Sequence, residues 1–393
     1  MTDLPISSPA SAARPWAAGA AVIVAAGVYA WALLMAEETW QVTGLLALAV
    51  AAVLAALKTG FARRLHQDWS ASETRLNRLA FATLIVLIFV LSDAHFALLM
   101  VATTLLYFTA SMGLNIQFGF AGMANFAGAA FFGAGAYTAA VLGTVTAVPP
   151  LLTLALGGGV ALVLSLPLLL PIVRTTGHYA AVVTIAFGVL FRTFLEVNEI
   201  LGGPQGLMVA PMRLFGWDFN SAPVIGGYEM SFYVNYALLA AALAGLVFML
   251  MRRLERSWIG LHMDAVRLDE TAAACFGISV TRTKVTAFLM GNAILGVSGA
   301  LYGMMISFIA PASFTFSDSL LMVSIVLLGG LGSLWGGAVA AAIVVLLPEK
   351  LQLLQEYRFL LFSILVILVL LFRPDGILPR PMRSFFASRR AGK

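Results

Sequence analysis

Few side chains in this sequence could do chemistry, and they fall into three groups. Arg192 stands inside a long apolar run, with Glu196 four residues on and Glu199 a turn beyond. On a helix the i,i+4 spacing puts Arg192 and Glu196 on one face. The pair either neutralises itself among neighbouring helices or contributes a polar lining for a charged or zwitterionic solute; both readings stand. Three amides, Asn115, Gln117 and Asn125, lie in the Gly-rich stretch Gly113–Gly135. They could line a discontinuous helix, or bond neighbouring helices together where small residues pack closely. The third group is the segment Arg252–Lys284, RRLERSWIGLHMDAVRLDETAAACFGISVTRTK, set between two apolar runs. Ile259–Phe276 within it suits one or two short surface helices. Asp264, Arg267, Asp269 and Glu270 would be exposed there, Ala272, Ala273 and Ala274 would allow close approach of a partner, and Gly277 would end the helix.

Catalytic signatures are missing. His66, His95, His178 and His262 are scattered, and no H-E-x-x-H pair occurs to hold a zinc. The sequence has no G-x-S-x-G elbow and no G-x-x-x-x-G-K-[ST] phosphate loop. If ATP powers this protein, another chain hydrolyses it.

The elements that position these residues are membrane helices. Of 393 residues, 61% are hydrophobic and only 10% charged, with a mean hydropathy of +0.97. A water-soluble domain carries roughly 25% charged residues. Apolar runs recur from Trp16–Met35 and Trp40–Leu57 through Phe96–Leu114, Tyr179–Leu201 and Val285–Ile309 to Phe359–Phe372. They match a hydrocarbon core roughly 30 Å thick, where helices satisfy the backbone. The expected fold is all-α: a polytopic helical membrane protein of about ten transmembrane helices with a re-entrant Gly-rich segment.

The net charge of +5 forms no nucleic-acid surface. Its basic residues gather in Lys58–Arg78, Arg252–Lys284 and the tail from Arg373, so the positive-inside rule places these loops and both termini in the cytoplasm. The alternation of sides fails at Leu320–Leu347. Gly329, Gly330, Gly332, Gly336 and Gly337 make this run a poor straight helix. A segment dipping as far as Leu331–Trp335 and returning to its own side restores the alternation; close helix packing at glycine is the other reading. The first run has Arg14 before it and Ala30-Trp31-Ala32 near its end, as a secretory signal would, but at about 20 residues it is long for a signal core. A helical hairpin is the better reading. Cys275, the single cysteine, leaves no intramolecular disulfide to form.

Four blocks, in order, resemble the permease subunits of ATP-binding-cassette importers for branched-chain amino acids, the LivM-type family. They are Gly113-Leu114-Asn115-Ile116 through Gly133–Thr138; Arg174 and Gly177-His178-Tyr179 through Thr184–Gly188 and Gly202–Leu207; Trp258 and Gly260 through Gly277-Ile278; and Ser313-Phe314 through Leu328–Gly336. Arg373-Pro374-Asp375-Gly376 is a further family-like ending. The resemblance covers roughly Leu79 to Leu378, which divides the chain into an accessory hairpin with its basic loop (1–78), a permease core (79–378) and a basic tail (379–393).

The resemblance implies an inner-membrane importer subunit without its own ATPase site or cofactor. It would work with two ATPase subunits, a second related permease in a heterodimer and an extracytoplasmic solute-binding protein, surrounded by lipid. It makes the Arg252–Lys284 loop the coupling helix, a role that falls on Asp269, Glu270, Thr271, Ala272, Ala273 and Gly277. The general permease pattern is Glu-Ala-Ala-x-x-x-Gly; Thr271 occupies the Glu position here, and Glu270 comes one residue early. Where many members carry His and Glu, this chain has Gly128 and Val189. Asn115, Gln117, Asn125, Arg192 and Glu196 are the candidates for the translocation path. Related permeases serve urea, amides and other small organic solutes. A stand-alone ion-coupled carrier would have Glu196 as its one plausible coupling carboxylate, and a passive channel would leave the loop unused.

Overall fold

The computed structural model describes residues 16–36, 38–58, 61–145, 148–174, 178–214, 216–225 and 227–350, and beyond them 357, 360, 364, 367, 371, 376–378 and 380. Most of the expected span Phe359–Phe372, the Arg373–Asp375 stretch and nearly all of the basic tail lie outside the described residues. So do 175–177 of the second family-like block.

The chain divides into two compact units, Met1–Leu98 and Leu99–Lys393. In the first, α1 (Ala17–Met35) and α2 (Thr39–Lys58) are the expected pair of helices. The third, α3 (Phe61–Val90), runs across the expected boundary between residues 78 and 79 and kinks at Ser72. Helices α1 and α3 pack with Gly19 against Leu76.

The second unit is built around the longest of its described helices. Four helices come first: α4 (His95–Asn115), α5 (Gly128–Val145), α6 (Pro150–Arg174) and α7 (His178–Val197). Then come α8 (Tyr233–Glu255), α9 (Trp258–Leu268), α10 (Glu270–Cys275), α11 (Val280–Ile306), α12 (Phe316–Gly329) and α13 (Leu334–Lys350). Helix α11 lies against both α5 and α6. Glycine makes this approach possible: a Cβ on Gly299 would fall 1.8 Å from the Phe132 carbonyl oxygen, inside any real contact. Small residues at interfaces are how helices gain packing energy where lipid supplies no hydrophobic drive.

Among the described residues, seven helices are long and apolar enough to cross a bilayer. Strand structure among the described residues is confined to three two-residue antiparallel ladders, two of them in the connection between α7 and α8 and one joining Leu207–Met208 to Phe308–Ile309. The chain is an all-α polytopic membrane protein.

The Gly-rich run Leu320–Leu347 is broken, and the break has a local cause. Helix α12 opens with a capping box between Thr315 and Asp318 and ends at Gly330, whose φ of 104° no other residue type adopts easily. Gly332 follows at φ 83°, and α13 starts at Leu334. The two helices pack as a hairpin with its tip at Gly330–Ser333, and residues from α12's first turns and α13's last turns line one cleft.

Candidate functional site

The loop between α8 and α11 folds as two short helices, each with a local start signal. Ser257 Oγ accepts from Gly260 N at 3.2 Å to begin α9. Asp269 Oδ1 accepts from Thr271 N at 2.8 Å and Ala272 N at 3.0 Å to begin α10. Helix α10 closes through Gly277 N to Ala274 O and Ile278 N to Ala273 O, both 3.0 Å, with Gly277 left-handed at φ 79°. This bond pair stops a helix cleanly at glycine. Asp269 and Gly277 are therefore the residues that delimit α10.

The exposed side of this element is partly apolar. Thr271, Ala272, Ala274 and Cys275 face outward, and Trp258, Leu268 and Phe276 are 78%, 69% and 86% exposed. Of the three alanines expected to allow close approach of a partner, Ala272 and Ala274 are exposed and Ala273 between them is buried. Glu270 reaches Lys284 Nζ at 2.7 Å, tying α10 to the first turns of α11. Lys284 is itself buried, with only 7% of its side chain exposed.

Two of the charges expected on the surface instead turn inward. Arg267 Nη1 donates to the Gly119 carbonyl. Asp264 receives both Nη nitrogens of Arg380, whose Nε meets Glu255 at 3.2 Å and whose guanidinium stacks 4.1 Å from the Phe120 ring centre. Gly119 and Phe120 belong to a five-residue π-helical turn, Ile116–Phe120, that ends α4. Such single π turns distort a helix locally and occur often at functional sites. Just before it, Asn115 Oδ1 accepts from Gly332 N at 2.8 Å and Asn115 Nδ2 donates to Ser333 O at 3.2 Å. The surface loop, the π turn and the α12–α13 tip are thus joined by a continuous set of polar contacts.

The other two amides are buried as well. Gln117 Nε2 donates to Phe288 O at 3.2 Å and to Asn292 Oδ1 at 2.9 Å. Asn125 Nδ2 reaches the same Asn292 oxygen at 3.1 Å, while Asn125 Oδ1 accepts from Ala127 N at 2.9 Å. Asn115 therefore fastens the end of α4 to the hairpin tip, and Gln117 and Asn125 fasten their segments to the middle of α11. Arg192 and Glu196 form their i,i+4 pair at 2.8 Å and remain partly exposed. Of the five expected path residues, Arg192 alone lines the cleft at the open end of the hairpin, a space of about 640 Å3 among α4, α7, α11, α12 and α13.

Sequence reasoning passed over Asn292, Lys284 and Arg380. Asn292 is a lone amide in an apolar run, Lys284 stood at a loop boundary, and Arg380 was one basic residue in a tail of several. No local spacing links any of them to its partner.

Comparison with known proteins decides the family. Residues 96–371 match the model of the branched-chain amino acid transport system / permease component. The chain belongs to this family. It is 34% identical over 306 residues to the high-affinity branched-chain amino acid transport system permease protein LivM of Salmonella typhimurium, covering 74% of this chain and 72% of that one. It is 33% identical to LivM of Escherichia coli K12, covering 70% and 68%. The permease protein LivH of Salmonella typhimurium is 30% identical over 170 residues, 42% of this chain and 54% of its own. No solved structure matches this permease. The family model begins one residue after the start of α4, so it leaves α1, α2 and α3 outside.

Proposed function

We propose that this permease is the membrane subunit of an ATP-driven importer of branched-chain amino acids in a bacterial plasma membrane, with the α9–α10 loop on the cytoplasmic side. Its relatives are named as permease proteins of high-affinity branched-chain amino acid transport. ATP is hydrolysed by two separate subunits that dock on the exposed face of α9–α10. A second, related permease completes the pore, a reading favoured by the likeness to both LivM and LivH. A binding protein delivers solute from outside.

One observation carries this reading: the loop presents large exposed apolar side chains outward while Arg267 and its Asp264–Arg380 pair tie it inward to the π turn and the hairpin tip. An exposed patch containing Trp258, Leu268 and Phe276, rimmed by charge, is what a docking surface needs. A push on that surface has packed, hydrogen-bonded elements through which to reach the membrane helices.

The test is leucine uptake by proteoliposomes holding the assembled complex, comparing wild type with Ala272→Arg and Phe276→Asp. Both positions are exposed, so the fold survives while docking fails. Loss of ATPase co-purification together with loss of ATP-dependent uptake supports the importer. Uptake by this chain alone, indifferent to ATP and to both substitutions, would sink it and favour a carrier or channel.

A further inference from the structure

The cleft at the open end of the α12–α13 hairpin has a charge layout that selects a class of solute. Its volume, about 640 Å3, falls in the range of small-molecule sites. Arg192 contributes from α7. Its Nε is held by Glu196, and neither Nη nitrogen has a partner among the described residues. Asp318 stands on α12; its Oδ2 bonds the Thr315 backbone and hydroxyl at 2.9 and 2.6 Å, which fixes the carboxylate. Glu349 comes from the last turn of α13. Leu321, Val344 and Val345 add apolar surface to the same cleft.

A cation and two carboxylates in one mainly polar cleft that also exposes Leu321, Val344 and Val345 complement a molecule carrying both charges and an aliphatic chain. Guanidinium groups bind carboxylates through paired N–H donors, and carboxylates accept from ammonium; both are charge-assisted and stronger than neutral bonds. A solute lacking either charge would leave one side of the cleft facing an unmatched group, which discriminates by penalty as much as by attraction.

We propose that this cleft receives the solute as a zwitterion: Arg192 takes the α-carboxylate, Asp318 and Glu349 take the α-ammonium, and Leu321, Val344 and Val345 contact the aliphatic side chain. The assignment rests on the importer reading above and adds where, and by which charges, the membrane subunit itself recognises solute.

The experiment uses the assembled complex in proteoliposomes with Ser317→Cys, a small change in the cleft wall. ATP-dependent leucine uptake is measured first, in the wild-type complex and in Ser317→Cys. Maleimide labelling at position 317 is then followed by mass spectrometry in leucine, in leucinamide, which lacks the carboxylate, and in 4-methylpentanoate, which lacks the ammonium. Leucine should protect at concentrations about tenfold to a hundredfold below either analogue, the range of one charge-assisted hydrogen bond. Arg192→Gln should erase the advantage of leucine over leucinamide and leave its advantage over 4-methylpentanoate; Arg192→Lys should restore part of the loss. A purely structural arginine would not move one ratio and spare the other. A complex that imports leucine but shows no protection, or keeps both ratios in Arg192→Gln, overturns the cleft assignment and leaves the importer standing. A wild-type complex that imports no leucine overturns the importer reading, and the cleft assignment with it.

Discussion

Arg380 and Asp264 are 116 residues apart in sequence and meet through both guanidinium Nη nitrogens, at 2.7 and 3.0 Å. Just before Arg380, Ile377 N and Leu378 N donate to Leu328 O and Gly329 O, so the segment carrying the arginine is fastened beside the hairpin tip. The planar guanidinium suits this place because it can hold a carboxylate with two bonds and lie on an aromatic ring at once. Asp264, on the loop helix α9, is therefore fixed to the tip of the hairpin. Arg380→Gln should destabilise the purified permease by about 2–4 kcal/mol, since removing one partner of a largely buried pair strands the other. Thermal unfolding in detergent reads this directly. Asp264→Asn should cost less, because Arg380 keeps Glu255 and the Phe120 ring, and the double variant little more than Arg380→Gln alone, because the arginine change already breaks the Asp264 contact. Independent, additive losses would show that the two residues act separately.

Lys284 makes the same argument from the opposite side of the loop. Its ammonium is buried and meets Glu270, which is about half exposed. Glu270→Gln removes the charge that compensates a buried cation, at a cost of about 1–2 kcal/mol once solvent screening at the exposed partner is allowed for. Changing Lys284→Met as well should recover most of that loss, because an apolar chain of similar length needs no partner. Melting temperatures of the two singles and the double give the cycle. Equal stability of Glu270→Gln and wild type would show that water, not Glu270, solvates Lys284.

How far these features were legible in the sequence follows from the range of the interactions. Apolar runs near 20 residues identify bilayer helices because the bilayer sets a length. Asp269 and Gly277 announce α10 because caps act within four residues. The glycines at 330 and 332 announce the hairpin tip for the same reason. Faces were not legible. A helix whose lipid side and packed side are both apolar has little amphipathic period to read, so nothing in the sequence separates Ala273, which is buried, from Ala272 and Ala274, which are exposed. Asp264 and Arg267 looked like solvated charges because their partners, Arg380 and Gly119, lie over a hundred residues away. The cleft was legible only through Arg192, since Asp318 and Glu349 stand at helix ends where a carboxylate is ordinary.

Asn292 is the clearest case of a side chain whose importance lies wholly in its partners. Its single Oδ1 accepts from Gln117 and Asn125, two fully buried amides on other elements. Asn292→Leu would fill the volume yet leave both donors short of a bond. Gln117 retains Phe288 O, so the larger penalty falls on Asn125. An expected cost of about 2–3 kcal/mol follows from stranding buried amide donors in a low-dielectric core. The Asn125→Ala, Asn292→Ala pair should couple by more than about 0.5 kcal/mol in a double-mutant cycle. Additivity within error would mean that buried water supplies the missing bonds.

The contact between α11 and α5 sets the last prediction, because it tests whether close backbone approach holds this unit together. At Gly299 a methyl group would meet the Phe132 carbonyl carbon at 2.6 Å as well as its oxygen at 1.8 Å. Both atoms are backbone, so no rotamer change can make room; the helices must separate. Separation would also disturb Ala136 against Gly303, one turn along the same seam. Gly299→Ala should therefore cost about 2–3 kcal/mol despite adding one carbon and improving helix propensity, the overpacking term exceeding the gain of roughly 1 kcal/mol that alanine brings. Gly159→Ala, on α6 with open space around it, is the matched control and should be neutral or slightly stabilising. The check is the yield of folded, monodisperse protein and its unfolding temperature for the two variants side by side. If both behave alike, the seam tolerates the added methyl, and tight backbone packing is not what binds α11 to its neighbours.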